Sequence, residues 1–184
     1  MILQGNLELN LSETDRHRFD FRVGLRSNLK LRTSVRYRFE DELGDRMVQR
    51  LSETVYFIDG SGYGSFTQYQ IDRELTATSL VRWSSEFRAQ EDLDTLEWGT
   101  SLNHVSTHSN NVAMSYYARM GGTTDQNYVG EYQIGMRLRR SILRPWLFIE
   151  LSQGYGWEKL TEDGHREGSV FGGIRLEMAI GRLR

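Results

Sequence analysis

The sequence predicts an all-β chain folded as a closed up-and-down antiparallel transmembrane β-barrel of about twelve strands, with ten as the alternative count. Three observations carry that expectation. Apolar side chains recur at every second position along almost the whole chain, many of the intervening positions are charged, and turn-forming clusters interrupt the pattern after each roughly 9–13 residues.

The totals set bounds on this reading. At 184 residues the chain forms one domain, 1–184. A net charge of -2, with 38% hydrophobic residues, gives no case for nucleic acid as a partner. The absence of cysteine excludes disulfides, thiolate metal sites and a thiol nucleophile. Apolar runs such as "WLFI" fall far short of the roughly 20 residues a membrane-spanning helix requires. The opening "MILQGNLELN" has neither a basic nor an apolar signal region, so an exported form is expected to have lost its signal or had it replaced.

Taken in order, Leu3, Leu7, Leu9 and Leu11 alternate with Gln4, Asn6, Glu8 and Asn10. In "RHRFDFRVGLRSNLKLRTSVRYRF" the apolar parity holds Phe19, Phe21, Val23 and Leu25, then Leu29, Leu31, Val35, Tyr37 and Phe39 after a turn at "RSN". The other parity holds Arg18, Asp20, Arg22, Lys30, Arg32, Arg36 and Arg38. Segment 46–58 fits poorly, because Leu51, Val55 and Phe57 share a parity with Gln49 and Glu53; a bulge is expected there. Alternation resumes with Tyr63, Thr67, Tyr69 and Ile71, then Val81, Trp83 and Phe87 against Arg82, Glu86 and Arg88. Trp98 and Leu102 oppose Glu97 and Ser101; Met114 and Tyr116 oppose Ser115 and Arg119; Tyr132 and Ile134 oppose Glu131 and Gln133, ahead of Arg137. Leu147, Ile149 and Leu151 oppose Glu150, and Ile174, Leu176 and Met178 oppose Arg175 and Glu177. About eleven strands result. A closed barrel with both termini on one side of the membrane needs an even number, hence twelve or ten.

Strand count also decides which face is inside. A soluble lipocalin-like barrel of about eight strands turns its apolar face inward, whereas an outer-membrane barrel turns it toward lipid. With ten or more strands the interior is too wide for one apolar layer to fill, yet a mesh of Arg, Glu and Gln spans it. The expected lumen-lining charges are Arg18, Arg22, Lys30, Arg32, Arg36, Arg38, Arg82, Glu86, Glu97, Arg119, Glu131, Arg137, Glu150, Arg175 and Glu177, with the early arginines either all paired with glutamates from distant strands or leaving an unpaired group for an anionic solute. The expected lipid-facing set is Phe19, Phe21, Val23, Leu25, Leu29, Leu31, Val81, Trp83, Trp98, Met114, Tyr116, Ile134, Leu147, Ile149, Leu176 and Met178. Trp146, Phe148, Tyr117 and Trp157 are expected to point inward and plug the lumen in part.

The stretches "TSLVRWSSEF", "EWGTSL", "RRSILRPWLFIEL" and "GGIRLEMAIG" resemble a group of gammaproteobacterial outer-membrane β-barrel proteins, over most of the chain after residue 30. The resemblance implies the barrel fold and an outer-membrane location in a Gram-negative bacterium. It carries no activity and no catalytic residue. The sequence departs from the usual aromatic end of such barrels, since Ile180 is followed by "GRLR", which implies an imperfect or internal assembly signal.

Other chemistry is sparse. His104 and Ser106 stand two apart on the apolar parity, as in membrane-embedded lipid hydrolases, where His would be the base and Ser the nucleophile; only Asn110 or Asn111 offers a third member. No histidine or carboxylate spacing suits a metal site, "DGSGYGS" lacks the Lys and helix of a phosphate loop, and "TEDGHREG" reads as an acidic turn, although Glu162, Asp163 and Glu167 would suit a cation. No cofactor is expected. The function that follows is a narrow or plugged barrel for small-solute or anion passage or a structural role. The alternatives are the His-x-Ser hydrolase and a soluble ligand-binding barrel. The expected partners are outer-membrane lipid, lipopolysaccharide and the barrel assembly machinery.

Overall fold

The computed structural model describes residues 5–25, 31–91, 94–109, 112–142, 147–159, 161–162 and 164–178. Within them the alternating sequence forms eleven strands: β1 (Gly5–Glu13), β2 (His17–Leu25), β3 (Leu31–Gly44), β4 (Met47–Ile58), β5 (Gly62–Thr76), β6 (Ser79–Gln90), β7 (Glu97–Ser109), β8 (Val112–Thr123), β9 (Glu131–Ser141), β10 (Leu147–Glu158) and β11 (Glu167–Met178). They make one sheet in chain order, each strand antiparallel to the next. Strict alternation of direction leaves β1 and β11 running the same way, and among the described residues no pairing joins them. The strand that an even count requires is not among the eleven. The turn expected at "RSN", with Leu29 and Lys30 beyond it, lies outside the described residues, as do Asn110, Asn111, Trp146 and Asp163.

The register corrects one expectation. Strand β4 carries no bulge: Met47 to Ile58 pairs residue for residue with Arg73 to Gly62 on β5. The irregularity falls instead between Glu42 and Gly44 on β3, beside a tight turn where Gly44 (φ 138°) and Arg46 (φ 65°) take left-handed conformations. Gln49 and Glu53 therefore stay on the apolar face, and cross-strand hydroxyls satisfy them. Tyr69 donates its hydroxyl to Gln49 Oε1 at 3.0 Å, and Thr67 Oγ1 donates to Glu53. Two local hydrogen bonds cost less than shifting a register that would turn Leu51, Val55 and Phe57 to the other face.

Burial runs opposite to that of a soluble domain. Among the described residues the buried side chains are Asp20, Ser34, Tyr56 and Ile58, all on the charged parity. The apolar parity is open, with Val55 52%, Leu102 53%, Ile134 50% and Leu176 67% exposed. The sheet curves around its charged face, because residues of five consecutive strands, from Arg22 on β2 to Gln90 on β6, line a single recess of about 570 Å³.

Glycines on the charged face give its rings somewhere to lie. A Cβ at Gly64 would sit 2.4 Å from the Tyr56 ring, at Gly135 2.6 Å from Tyr117 and at Gly154 2.5 Å from Phe171. At Gly135 the backbone oxygen of Gln153 is also only 2.8 Å away, so an added methyl cannot be absorbed by a ring shift alone. Gly135→Ala is expected to destabilise the folded chain by about 1–3 kcal/mol, read as a lower urea midpoint for unfolding from lipid vesicles.

Candidate functional site

The charged face is held by ion pairs between nearby strands. At one edge Asp20 is fully buried, and three guanidiniums converge on it: Arg18 Nε donates to Oδ1 at 2.7 Å, and Arg38 Nη2 and Arg36 Nη2 donate to Oδ2 at 2.6 and 3.1 Å. The register explains the convergence, since Asp20 faces Arg36 across the β2–β3 ladder and Arg18 faces Arg38 directly. Two like charges set opposite one another repel, and the carboxylate diagonal to Arg38 and two residues along the strand from Arg18 offsets that repulsion. Further round, Arg50 bridges Glu40 at 2.6 Å and Asp72 at 2.5 Å, and Arg82 donates to Asp72 at 2.8 Å, making a ladder from β3 to β6. Arg119 on β8 reaches over β7 to Glu86 at 2.6 Å and also meets Glu131 at 3.4 Å. Gly99 lies under that bridge, where a Cβ would be 3.1 Å from the Glu86 carboxylate.

The early arginines had two outcomes open, pairing with glutamates of distant strands or an unpaired group for a solute, and Arg36 and Arg38 take neither. Arg36 and Arg38 are taken by Asp20 on the adjacent strand, while Glu97 meets Arg88 at 3.4 Å, Glu150 meets Arg175 at 3.9 Å and Glu177 meets Arg139 at 3.1 Å. Antiparallel neighbours about 5 Å apart find each other at a smaller entropy cost than groups spanning a lumen.

Four arginines cover aromatic rings of the same face, two of them, Arg88 and Arg139, while also pairing with a glutamate: Arg32 over Tyr56 at 5.2 Å, Arg88 over Phe66 at 5.5 Å, Arg137 over Tyr117 at 5.1 Å and Arg139 over Phe148 at 4.3 Å. The 570 Å³ recess is lined by Arg22, Arg32, Arg36 and Arg88 with Ser34, Ser52, Thr54, Gln68, Gln90, Tyr56 and Phe66, and its lining contains no carboxylate. On the opposite flank Glu131, Glu158 and Glu167 face one another across β9, β10 and β11 at the end of the sheet. The face is thus basic along β2–β6 and acidic at one end of β9–β11.

The register sets Arg18, Arg22, Arg32, Arg36, Arg38, Arg82, Glu86, Glu97, Arg119, Glu131, Arg137, Glu150, Arg175 and Glu177 on the charged face. It sets Phe19, Phe21, Val23, Leu31, Val81, Trp83, Trp98, Met114, Tyr116, Ile134, Leu147, Ile149 and Leu176 on the other. The side chains of Leu25 and Met178 lie outside the described residues. Trp157 is a correction: it pairs with Tyr132 and Gly168 on the apolar face and does not point inward. Sequence reasoning missed Asp20 and Asp72 as hubs, and Tyr56 and Phe66 as ring partners; three arginines flanking a lone Asp within one hairpin was the signal for the first.

His104 and Ser106 also lie on the apolar face, opposite Tyr116 and Met114 of β8 and Val81 and Ser79 of β6. Among the described residues no hydrogen bond joins them, and no acid stands beside the imidazole on either neighbouring strand. Among the described residues no group of three His, Asp or Glu is placed to hold a metal ion.

The single up-and-down antiparallel sheet is a fold the chain shares with the KdgM porin in complex with disordered oligogalacturonate, at 8% identity over 83% of this chain and 86% of that one, with a TM-score of 0.58. The NanC porin matches over 96% of this chain and 93% of its own, again at 8% identity, with a TM-score of 0.56. No family model matches the sequence, and no curated protein matches it.

Asp20→Asn removes one charge and leaves three guanidiniums converging on a neutral amide. The substitution is expected to destabilise the folded chain by roughly 3 kcal/mol. Glu97→Gln breaks a half-exposed pair and is expected to cost less than about 1 kcal/mol in the same urea titration.

Proposed function

We propose that the chain is an outer-membrane barrel of a Gram-negative bacterium that passes small anionic solutes. In this reading the barrel is closed, the exposed apolar face lies against lipid and the charged face lines the lumen. The observation that carries it is the carboxylate-free recess with four arginines. Fixed guanidiniums in a low-dielectric wall raise the local concentration of anions, and distributed weak contacts let them leave again. The inverted burial supports the membrane setting, because an open face of Val55, Leu102, Ile134 and Leu176 on a protein in water would drive aggregation. The porin fold supports passage over catalysis, and the oligogalacturonate bound to the KdgM porin is itself a chain of carboxylates.

The acidic row Glu131, Glu158 and Glu167 opposes anions from the far flank and limits how strongly the pore discriminates. In planar bilayers the wild-type barrel is expected to conduct small ions with a preference for chloride over potassium. Arg32→Glu with Arg88→Glu reverses the preference, and Glu158→Gln with Glu167→Gln strengthens it. A barrel that inserts and carries no current would show the lumen to be plugged, and one that stays dispersed without detergent would show the soluble reading to hold.

A further inference from the structure

The connections at the two ends of the sheet differ in length. Segments 91–96, 124–130 and 159–166 join strands at one end, while 45–46, 77–78 and 110–111 join them at the other. In outer-membrane barrels the longer connections lie outside the cell and the short turns in the periplasm, so on the membrane reading proposed above the first end meets the outer leaflet. At that end the apolar face carries a cluster of rings. Trp98, Tyr132 and Trp157 stand on β7, β9 and β10, and Tyr155 packs edge-on against Trp157 with centroids 4.6 Å apart. A Cβ at Gly122 would meet Trp98 Nε1 and the Tyr128 carbonyl at 3.6 Å, so Tyr128 closes over the end of the same cluster.

Two cations rest on these rings. Lys159 Nζ lies 4.7 Å from the Tyr128 centroid, and the Arg166 guanidinium lies 4.5 Å from that of Tyr132. The backbone fixes both: Lys159 N donates to the Gly130 carbonyl at 2.7 Å, and Arg166 Nη2 donates to the Val129 carbonyl at 2.6 Å. Among the described residues Arg166 Nη1 has no hydrogen-bond partner. Among the described residues neither cation forms an ion pair, unlike Arg50, Arg82 and Arg119 on the charged face. A buried guanidinium nitrogen without an acceptor is costly, and it marks where one is missing. Tyr and Trp at the headgroup level with Lys and Arg just above them are the arrangement that engages a lipid through its apolar body and its phosphate together.

We propose that Lys159 and Arg166, mounted on Tyr128 and Tyr132, form a binding site for the phosphate of an anionic outer-leaflet lipid. The lipid's acyl chains would pack on Tyr132 and Trp157, and its phosphate oxygens would accept from Lys159 Nζ and the Arg166 guanidinium. The site lies on the outer wall of the barrel, apart from the arginine-lined recess, and rests on the membrane reading of the fold.

The test uses the full chain inserted in phosphatidylcholine vesicles doped with lipid A, either bearing its phosphates or enzymatically stripped of them, with retained lipid counted by native mass spectrometry. Wild type is expected to retain the phosphorylated form about 25-fold better, about fivefold for each cation. Lys159→Gln with Arg166→Gln is expected to lose that discrimination while inserting and conducting as wild type does, and Arg166→Lys to keep most of it. Undiminished discrimination by the double variant overturns the proposal, as does displacement of the lipid by millimolar inorganic phosphate, which would make the site one for a soluble anion. Failure of the wild-type chain to insert at all overturns the membrane reading and this site with it; insertion without discrimination overturns the site alone.

Discussion

A fully buried Asp20 holding Arg18, Arg36 and Arg38 is the interaction on which the architecture turns. Four formal charges sit within one β-hairpin pair of strands, and only a sheet that curves toward them satisfies them together. The same curvature gathers residues of five strands around one recess and leaves the apolar face convex and open. Once the charged side is the enclosed side, the identity of the solvent on the other side follows from the exposed side chains, not from the fold alone.

The remaining charges extend this scheme without long-range closure. Ladders such as Glu40–Arg50–Asp72–Arg82 and Glu86–Arg119–Glu131 tie each strand to its second or third neighbour and stiffen the sheet against flattening. Stacks of glycine, ring and guanidinium, as in Gly64, Tyr56 and Arg32, serve the same end: the missing side chain lets the ring lie flat, and the ring holds the arginine without consuming its donors. Arginines held by rings and not by carboxylates are the ones that stay electrostatically available to a solute.

Most of the fold was legible in the sequence because period-two alternation is a local property: eleven strands, their order and the parity of each face follow from it. The ends of the argument were harder. Segment 46–58 read as bulged because Gln49 and Glu53 interrupt an apolar parity, and nothing in the strand itself tells that Tyr69 and Thr67 stand opposite to satisfy them. Arginine partners stayed open in the sequence for the same reason, since register between strands, and not residue type, decides that Asp20 sits diagonal to Arg38. Trp157 was read as inward although the odd parity of Leu147, Ile149 and Leu151, carried unbroken along β10, puts it on the apolar face. The cation–ring rim at Lys159 and Arg166 was beyond reach of the sequence, being assembled from two connections separated by about a full hairpin.

Which face meets lipid is the claim on which everything functional depends, and the absence of native cysteine makes it directly measurable. Ser52→Cys and Val55→Cys place single thiols on opposite faces of β4, three residues apart. With the barrel reconstituted in vesicles and each thiol carrying a fluorophore, quenching by brominated acyl chains and by aqueous iodide reports the surroundings. The account predicts that the probe at position 55 is quenched by brominated lipid and the probe at 52 by iodide. The reverse pattern, or iodide quenching of both, would contradict it.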